Sequence, residues 1–323
     1  MIKNILITGG AGYIGSHISE ILVKNKKKIY IVDNLSTGYR SLINKKAKFF
    51  KLNIHNNKTV KKIIKDNKID SVIHLAANLI ISEGEKYPKK YYKNNVVGTQ
   101  NLLKACSNST IRNFIFSSTA AIYREGQFKV SENSIIKPKS VYGKTKAKCE
   151  KIIQSFCKKN NINYGILRYF NIAGSSPSGK IGLINKSDHL FKNFSREIMK
   201  KRPVLKIYGN DYKTKDGSCI RDFIHVSDIA EIHFKVLEKI DKINKSKIFN
   251  CGYNKGTSVL EVAKEFKKQS SKKVKILITK RRTADLVKIT ASNNKLMRFI
   301  RWKPKFNNLR KIVKSCLIWE KRQ

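Results

Sequence analysis

Short apolar runs alternate with longer amphipathic stretches through the first half of the chain. Runs of four to six residues predict strands at Asn4–Thr8, Lys28–Asp33, Lys48–Lys51, Ser71–Leu75, Asn113–Ser117 and Tyr164–Tyr169. Apolar positions at helical spacing predict helices between them, at Ser16–Asn25, Asn57–Asp66, Asn94–Ser107 and Val141–Asn160. Strands that alternate with helices in this way form parallel sheets with right-handed crossovers. The sequence therefore predicts a doubly wound α/β fold of the Rossmann type.

The second half of the chain is less regular. Glycine, proline and polar residues gather in Gly174–Asn185 and in Tyr208–Ser218, and regular alternation weakens around them. We predict a Rossmann domain over residues 1–172 and a smaller C-terminal α+β domain over residues 173–323. A segment of about residues 223–252 is expected to return to the Rossmann domain.

Composition adds one unusual feature, which is a formal net charge of +47 from 69 Lys and Arg against 22 Asp and Glu. Such a charge attracts polyanions at low salt, and it also favours capture of a diphosphate. The chain is rich in Lys, Asn and Ile together, so compositional drift is the simpler interpretation. No zinc-finger, KH or RRM pattern is present, and we expect no specific nucleic-acid partner.

The remaining composition favours a reduced, water-soluble enzyme. Six cysteines show no CxxC pair and six histidines show no HxxxH pattern, so we expect no disulfide frame and no metal. No apolar run reaches the length of about 18 residues that a membrane span needs. The first strand begins at once, which leaves no room for a signal peptide. We therefore expect a cytoplasmic protein.

A glycine triplet follows the first predicted strand. Gly9, Gly12 and Gly15 lie between that strand and the first helix, where a tight turn must approach a pyrophosphate closely. The helix N-terminus offers free N–H groups to such an anion. Asp33 ends the second strand, where a carboxylate can accept hydrogen bonds from both ribose hydroxyls and would repel a 2′-phosphate. This combination predicts NAD, rather than NADP, as the cofactor.

A candidate catalytic group follows. Tyr142 and Lys146 are four residues apart at the start of a predicted helix, so the ammonium can lie near the phenol. A nearby positive charge favours tyrosinate, and we expect it to lower the pKa of Tyr142 towards that of a general base. Thr119 follows the strand Asn113–Ser117, where ligands collect at the carboxyl ends of parallel strands. Its hydroxyl could bridge Tyr142 and a substrate oxygen.

These residues carry a family resemblance over essentially the whole chain. It resembles the extended short-chain dehydrogenase/reductases, and within them the UDP-glucose 4-epimerases. The matching motifs are Thr8-Gly9-Gly10-Ala11-Gly12-Tyr13-Ile14-Gly15-Ser16-His17, Asp33-Asn34-Leu35-Ser36, Val72-Ile73-His74-Leu75-Ala76-Ala77, Tyr92-Lys93-Asn94-Asn95, Ser117-Ser118-Thr119, Tyr142-Gly143-Lys144-Thr145-Lys146, Arg168-Tyr169-Phe170-Asn171, Tyr208-Gly209-Asn210-Asp211-Tyr212 and Ile220-Arg221-Asp222-Phe223-Ile224-His225-Val226. The block Tyr208–Val226 distinguishes the 4-epimerases from many other members.

The resemblance implies two sets of binding residues. The implied NAD contacts are Gly9, Gly12, Tyr13, Ile14, Gly15, Asp33, Asn34, Ser36, Thr37, Gly38, Asn53, Ile54, Leu75, Ala76, Ala77, Leu79, Asn94, Thr119, Tyr142, Lys146 and Phe170. The implied UDP-sugar contacts are Thr119, Tyr142, Asn171, His189, Leu190, Lys206, Ile207, Tyr208, Arg221, Arg282 and Asp285. Thr119, Tyr142 and Lys146 would be catalytic.

The implied activity is NAD-dependent inversion of C4 in a UDP-hexose, through a 4-keto sugar that turns about its diphosphate linkage. Related dehydratases carry an Asp-Glu pair after the catalytic Thr, whereas Ala120 and Ala121 stand here, which argues against elimination. Asn53 replaces a usual Asp, Leu79 a frequent Lys, and Ile289 stands where residue size influences acceptance of N-acetylated sugars. A 4-epimerase for UDP-N-acetylhexosamine or UDP-pentose therefore stays open. The resemblance also implies a homodimer through Asn94–Ser107 and Val141–Asn160.

Overall fold

The computed structural model describes residues 2–184, 189–282 and 286–323. The strands are β1 Asn4–Thr8, β2 Lys28–Asp33, β3 Lys48–Lys51, β4 Ser71–His74, β5 Asn113–Thr119, β6 Lys129–Val130, β7 Asn163–Tyr169, β8 Asn171–Ala173, β9 Val204–Tyr208, β10 Ile220–Arg221, β11 Phe223–His225, β12 Lys247–Cys251, β13 Thr257–Ser258, β14 Lys275–Thr279 and β15 Lys288–Ala291. The helices are α1 Tyr13–Lys24, α2 Asn57–Asp66, α3 Ile81–Lys86, α4 Pro88–Tyr91, α5 Gly98–Cys106, α6 Val141–Lys159, α7 Leu190–Met199, α8 Val226–Ile243, α9 Val259–Gln269, α10 Asn294–Ile300 and α11 Leu309–Glu320.

A seven-stranded sheet organises the first half of the chain, in the order β12-β7-β5-β4-β1-β2-β3. The six strands other than β12 pair in parallel, and β1 lies at the point where the strand order reverses. This sheet confirms the doubly wound Rossmann prediction and all six strands expected from the sequence. In such sheets ligands bind beyond the carboxyl ends of the strands near the reversal point.

The sheet is buried on both faces, as its apolar strands require. One core cluster joins residues of the sheet, such as Leu6, Val72 and Phe114, to residues of the helices, such as Ile64 of α2 and Leu103 of α5. Burying side chains of this size contributes about 1.5–3 kcal/mol each. The framework that presents the strand ends is therefore rigid.

The predicted helix Asn94–Ser107 has a different local geometry. Residues Tyr92–Val97 form a π-helical segment that continues directly into α5. The Asn95 side chain donates to the Asn78 carbonyl (3.0 Å) and to Thr145 Oγ1 (3.1 Å). These contacts compete with regular helical spacing, and π-helical turns often occur at functional sites. Apolar periodicity alone does not predict such a segment.

Contacts divide the chain into two compact units. The first unit contains residues 1–123, 135–169 and 230–249, and the second contains residues 124–134, 170–229 and 250–323. The expected boundary fell at residue 172, and the expected returning segment was about 223–252. The short segment 124–134, which includes β6, had no separate place in that prediction.

The second unit contains small sheets. One has the order β13-β10-β15-β6, and two others pair β11 with β8 and β14 with β9. Helix α9 begins with a capping box, in which Ser258 accepts from the Glu261 N–H (3.0 Å) and Glu261 accepts from the Ser258 N–H (2.6 Å). Such reciprocal bonds satisfy backbone donors that a helix start leaves free.

Candidate active site

The glycine turn between β1 and α1 has the geometry of a phosphate cradle. Gly9 has φ +74°, and a Cβ there would lie 2.7 Å from the Ala76 nitrogen. A Cβ on Gly15 would lie 2.5 Å from the Gly9 oxygen, so helix and turn pack without side chains between them. Gly12 caps α1 with extended backbone. The first N–H groups of α1 are therefore open to an anion.

Asp33 is fixed next to this turn. Its Oδ2 accepts from the Ala11 N–H at 3.0 Å, and its Oδ1 accepts from the Leu35 N–H at 2.8 Å. A Cβ on Gly38 would lie 3.1 Å from Oδ1, so the segment after β2 folds closely over the carboxylate. Each oxygen keeps a lone pair, as a site for two ribose hydroxyls requires.

The other implied NAD contacts of the first unit differ in their solvent exposure. Tyr13, Ile14, Leu75, Ala76, Ala77 and Asn94 are half-buried, whereas Asn34, Ser36, Thr37, Asn53 and Leu79 are exposed. Ile54 packs in the hydrophobic core, so only its backbone is available to a ligand. The Asn53 Oδ1 accepts from the His55 N–H (3.0 Å), which leaves its amide N–H groups for a ligand. Their role in NAD binding stays a prediction.

Close packing of α6 brings Tyr142 and Thr119 together. A Cβ on Gly143 would lie 2.4 Å from the Ala121 oxygen, so the first turn of α6 lies directly against the segment after β5. Ser140 caps α6 by accepting from the Gly143 N–H at 3.1 Å. The Tyr142 hydroxyl is hydrogen-bonded to Thr119, whose Oγ1 also accepts from the Ala121 N–H at 3.1 Å.

Lys146 lies one turn farther along α6 and is buried. Its Nζ donates to the Ser117 carbonyl at 2.7 Å and lies 5.9 Å from the centre of the Tyr142 ring. Burial lowers the pKa of Lys146 to about 8, against smaller raising effects from Cys149 and Glu150. The structure therefore brings Thr119, Tyr142 and Lys146 into one neighbourhood, and their catalytic role stays a prediction.

The pKa of Tyr142 departs from the expectation. Burial raises it to about 12, and the hydrogen bond with Thr119 lowers it only partly. Desolvation of the phenolate is therefore the largest influence on this pKa in the chain by itself. A positive charge beside the phenol would lower the pKa towards that of a base near neutral pH.

The second unit contains a cavity of about 720 Å³. Its lining includes the predicted residues Asn171, His189, Leu190, Lys206, Tyr208, Arg221 and Arg282. Lys206 and Tyr208 are exposed on β9 while Leu205 and Ile207 are buried, as the alternation of a strand requires. The cavity is large enough for a nucleotide, and basic side chains stand on its wall.

Two pairs of side chains shape this cavity. The Arg282 guanidinium lies 3.8 Å from the centre of the Tyr208 ring, and this cation–π contact orients the two side chains relative to each other. His189 caps α7 through its ring, and its Nε2 lies 2.6 Å from the Ile172 carbonyl oxygen. Burial lowers the pKa of His189, so it lines the cavity as a neutral group.

Several lining residues were not predicted. Asn193, Phe194 and Glu197 of α7 line the cavity together with Leu190. Their spacing of three, four and seven residues from Leu190 places them on one helix face, so helical periodicity could have identified them. Lys200, Arg202 and Cys219 also line it, and no sequence pattern singled them out.

Among the implied UDP-sugar contacts, Thr119 and Tyr142 of the first unit and Ile207 of the second are not in the lining of this cavity. The Ile207 side chain is buried on the opposite face of β9, which leaves only its backbone for a ligand. Asp285 lies outside the described residues. Phe170 is buried in the second unit, where its N–H donates to the Cys251 carbonyl at 3.2 Å.

The described residues contain neither a metal site nor a helix that could span a membrane. Within 2–184, 189–282 and 286–323, no group of three or more His, Cys, Asp or Glu side chains could hold a metal. In the same part of the chain, every helix is too short or too polar to cross a membrane.

The sequence of the chain matches a known protein family and its members. The profile of the NAD-dependent epimerase/dehydratase family matches residues 5–252. The chain is 37% identical over 319 residues to a UDP-glucose 4-epimerase of Lactobacillus helveticus, which covers 98% of this chain and 97% of that protein.

Solved structures agree with the sequence comparison. A UDP-glucose 4-epimerase from Stenotrophomonas maltophila, with bound NAD and formylated UDP-arabinopyranose, superposes with a TM-score of 0.95 at 28% identity, covering 99% of this chain and 98% of that one. A UDP-Glc/GlcNAc 4-epimerase from Campylobacter jejuni is 38% identical with a TM-score of 0.86, covering 99% of this chain and all of that one (100%).

Proposed function

The chain belongs to the NAD-dependent epimerase/dehydratase family, and we propose that it inverts C4 of a UDP-hexose, interconverting UDP-glucose and UDP-galactose. The observation that carries this proposal is the hydrogen bond between Tyr142 at the start of α6 and Thr119 at the end of β5. Lys146 is buried one turn farther along α6 and donates to the Ser117 carbonyl. The relative from Lactobacillus helveticus has the same activity in its name and aligns over nearly the whole chain.

The first unit fits NAD. The glycine turn leaves the N-terminus of α1 open to a pyrophosphate, and a Cβ at Gly9 or Gly15 would collide with backbone. Asp33 offers acceptors to ribose hydroxyls, and its charge disfavours a 2′-phosphate. When bound, NAD supplies the oxidant for C4 and then the reductant that restores it.

Tyr142 acts on the sugar 4-hydroxyl. It takes the proton from O4 while C4 is oxidised and returns it when C4 is reduced, so it serves as base and then as acid. Thr119 holds the phenol by a hydrogen bond. Lys146, fixed on the Ser117 carbonyl, adds positive charge that favours the tyrosinate form, and the charge of an oxidised nicotinamide acts in the same direction.

The second unit supplies groups for the nucleotide. Arg221 and Arg282 line the cavity and can bind diphosphate oxygens with paired N–H donors. Tyr208 offers a ring face and Lys206 a cation beside it for the uracil. Inversion requires the hexose to turn after oxidation, so the affinity must come from the UDP part and not from the sugar.

A second candidate is a 4-epimerase with a different sugar. The relatives include proteins crystallised with a UDP-pentose derivative or named for UDP-GlcNAc. Ile289, at the second position of β15, is buried, and the family resemblance links the size of this residue to acceptance of an N-acetyl group. Measuring kcat/KM for UDP-galactose, UDP-GalNAc and UDP-arabinose distinguishes the candidates. The proposed function predicts the highest kcat/KM for UDP-galactose, and a higher value for either other sugar would favour the second candidate.

We further propose that the enzyme works in galactose metabolism as a cytoplasmic homodimer. The six cysteines are buried thiols outside any disulfide, which suits a reducing compartment. The exposed side chains of Tyr87 and Tyr92, next to α5 and α6, offer contact area for a second copy. Sedimentation of the purified chain tests the dimer, and a monomer at micromolar concentration would contradict it.

The experiment that tests the activity uses purified protein with NAD and UDP-galactose. We expect UDP-glucose to form until both sugars reach equilibrium, and the reverse reaction to reach the same ratio. Absence of interconversion with NAD present, for a protein that is folded and binds NAD, would refute the proposed function.

A further inference from the structure

A buried ion pair lies beside the catalytic helix turn. The Glu150 carboxylate in α6 accepts from Arg168 in β7, through Nη2 at 2.7 Å and Nε at 3.0 Å. Both side chains are only 3% exposed. Burying two charges costs several kcal/mol in desolvation, and apolar residues of similar volume often stabilise a fold as well. Stabilisation of the fold is therefore an insufficient reason for a buried ion pair at this position.

Further bonds connect the pair to two more segments. Ser118 Oγ in β5 donates to Glu150 Oε1 at 2.5 Å, and Arg168 Nη1 donates to the Tyr123 hydroxyl oxygen at 3.0 Å. The Arg168 guanidinium also lies 5.3 Å from the centre of the Tyr123 ring. The four side chains thus join β5, α6, β7 and the segment after β5, all within the first unit.

Ser118 stands between two residues that contact the catalytic groups. The Ser117 carbonyl accepts from Lys146, and the Thr119 side chain is bonded to Tyr142. Successive side chains of a strand point to opposite faces, so Ser118 anchors one face while Thr119 serves the other. Fixing Ser118 therefore fixes the strand end on which both catalytic contacts depend.

We propose that Glu150, Arg168 and Ser118 form a positioning clamp that sets the Lys146–Ser117 and Thr119–Tyr142 contacts and keeps a negative charge one helical turn from Lys146. The three residues touch neither cofactor nor substrate in this role. The proposal rests on the proposed function, since its first measurement is the rate of epimerisation.

The clamp also affects proton binding by the catalytic pair. Glu150 raises the pKa of Lys146, while burial lowers it. The titratable and charged groups around this pair are Tyr91 of α4, His74 of β4, Cys149 and Glu150 of α6, Arg168 of β7 and Tyr123 after β5. Burial lowers the pKa of His74 to about 3, so His74 is neutral in the working range. Glu83 of α3 accepts from the Tyr91 hydroxyl at 3.0 Å, and Glu150 is the carboxylate that lies one helical turn from Lys146.

The first variant is Glu150→Gln, which keeps the shape and an acceptor oxygen but removes the charge. Misplaced catalytic contacts should lower kcat by roughly 100-fold. The KM for UDP-galactose should change less than about twofold, because the groups that hold UDP are in the second unit. Removing a negative charge beside a coupled pair makes its first proton leave more easily, so the rising limb of the pH–rate profile should move to lower pH.

Ser118 gives a milder test that spares the ion pair. Ser118→Ala removes a hydrogen bond and should lower kcat about fivefold. Ser118→Thr keeps the hydroxyl and should restore most of that loss. If Glu150→Gln does not fold, this pair of variants decides the question, because rescue by Thr requires the bond to Glu150. Equal kcat for the Ala variant and the parent would overturn the clamp.

The matched control is Glu320→Gln in the second unit. Glu320 forms a buried ion pair with Lys192 at 2.7 Å, with side chains 8% and 6% exposed. Its removal should lower the melting temperature as Glu150→Gln does, but it should leave kcat and the pH–rate profile unchanged. If the two variants lose stability alike and neither changes kcat or the profile, Glu150 has only a structural role.

An independent measurement separates this proposal from the proposed function. Tyrosine labelled with ¹³C at Cζ reports ionisation, and Tyr142→Phe assigns the Tyr142 signal. In Glu150→Gln with NAD bound, the first titration step at this signal should move to lower pH, whichever substrate the enzyme uses. An unchanged titration would refute the clamp, whereas a parent protein without epimerase activity would refute only the proposed function.

Discussion

The proposed catalytic groups of the first unit and the proposed UDP-binding groups of the second unit are held in different ways. Lys146 is buried and bonded to a backbone carbonyl, and Thr119 is fixed by both Tyr142 and the Ala121 N–H. Lys206 and Arg282 are exposed. The side chains proposed for catalysis are therefore held in place by contacts within the chain. The basic side chains proposed to bind UDP are exposed to solvent and would be ordered by contacts with the ligand.

This difference suits an inversion at one carbon. Preorganised groups at the reacting centre need no rearrangement during the reaction, which is where electrostatic stabilisation is most effective. The binding energy, in contrast, can come from basic side chains that contact only the diphosphate and the base. Changes in the first unit should therefore affect kcat, and changes in the second unit should affect KM.

The largest effect is expected for Tyr142→Phe. Loss of the proton acceptor should lower kcat by about 10²–10⁴-fold, while NAD affinity stays nearly unchanged. Steady-state kinetics and NAD titration measure the two quantities. Tyr164→Phe, near the start of β7, is the matched control and should keep full activity. Parental turnover in Tyr142→Phe would remove the assigned role.

Arg282→Leu should show the opposite pattern. Losing a charged hydrogen bond to the diphosphate should raise the KM for UDP-galactose roughly 10- to 100-fold with kcat within about twofold. Arg281→Leu is the neighbouring control, because Arg281 lies 3.7 Å from Asp211 and does not line the cavity. An equal rise in KM for both variants would show that only the general positive field matters.

Asp33→Asn tests the cofactor site within the rigid unit. An amide cannot accept from both the Ala11 and Leu35 N–H groups, so NAD should bind about tenfold more weakly. The discrimination against NADP should also fall, because the repelling charge is gone. Asp66→Asn, at an exposed residue 3.6 Å from Lys62, is the control for charge alone. Unchanged NAD affinity in Asp33→Asn would contradict the assignment.

The plot of kcat against pH should be bell-shaped, and kcat should change several-fold near neutral pH. With NAD bound, activity should rise with pH as Tyr142 loses its proton, since the basic form is the acceptor and the positive charge of the oxidised nicotinamide lowers the pKa of the phenol. It should fall above about pH 8, where Lys146 loses the charge that supports tyrosinate. A profile that rises steadily through this region would show that the Lys146 charge is not required.

Ser258→Ala should have the smallest effect. It breaks the capping box of α9, which should lower the free energy of unfolding by about 1 kcal/mol without changing kcat or KM. Thermal unfolding measures the loss, and Ser270→Ala beyond the other end of α9 is the control. A kinetic change in Ser258→Ala would show that α9 takes part in ligand binding.

The same contrast explains how much the sequence could predict. The strands around the glycine turn and the helix of Tyr142 have strong local patterns, so β1 to β5, α2 and α6 lie within about two residues of their predictions. The pocket residues of α7 share only a helical periodicity, and Arg202 and Cys219 carry no pattern. Their grouping results from tertiary packing, which a single sequence does not reveal.

The pKa of Tyr142 shows a second limit. A Tyr and a Lys four residues apart indicate proximity, but the depth of burial decides which charge state wins. Burial of the phenol raises its pKa to about 12, and no spacing of residues in the chain encodes that depth. The π-helical segment Tyr92–Val97 was also not predictable, since its cause is the contacts of Asn95 with distant residues.

The central claim is that C4 is oxidised and that the same hydrogen is returned to its other face. Reaction of UDP-galactose in D₂O with the NAD-bound enzyme tests it directly by NMR and mass analysis of the product. We expect UDP-glucose without deuterium at C4. Deuterium at C4, or no UDP-glucose at all, would contradict the claim.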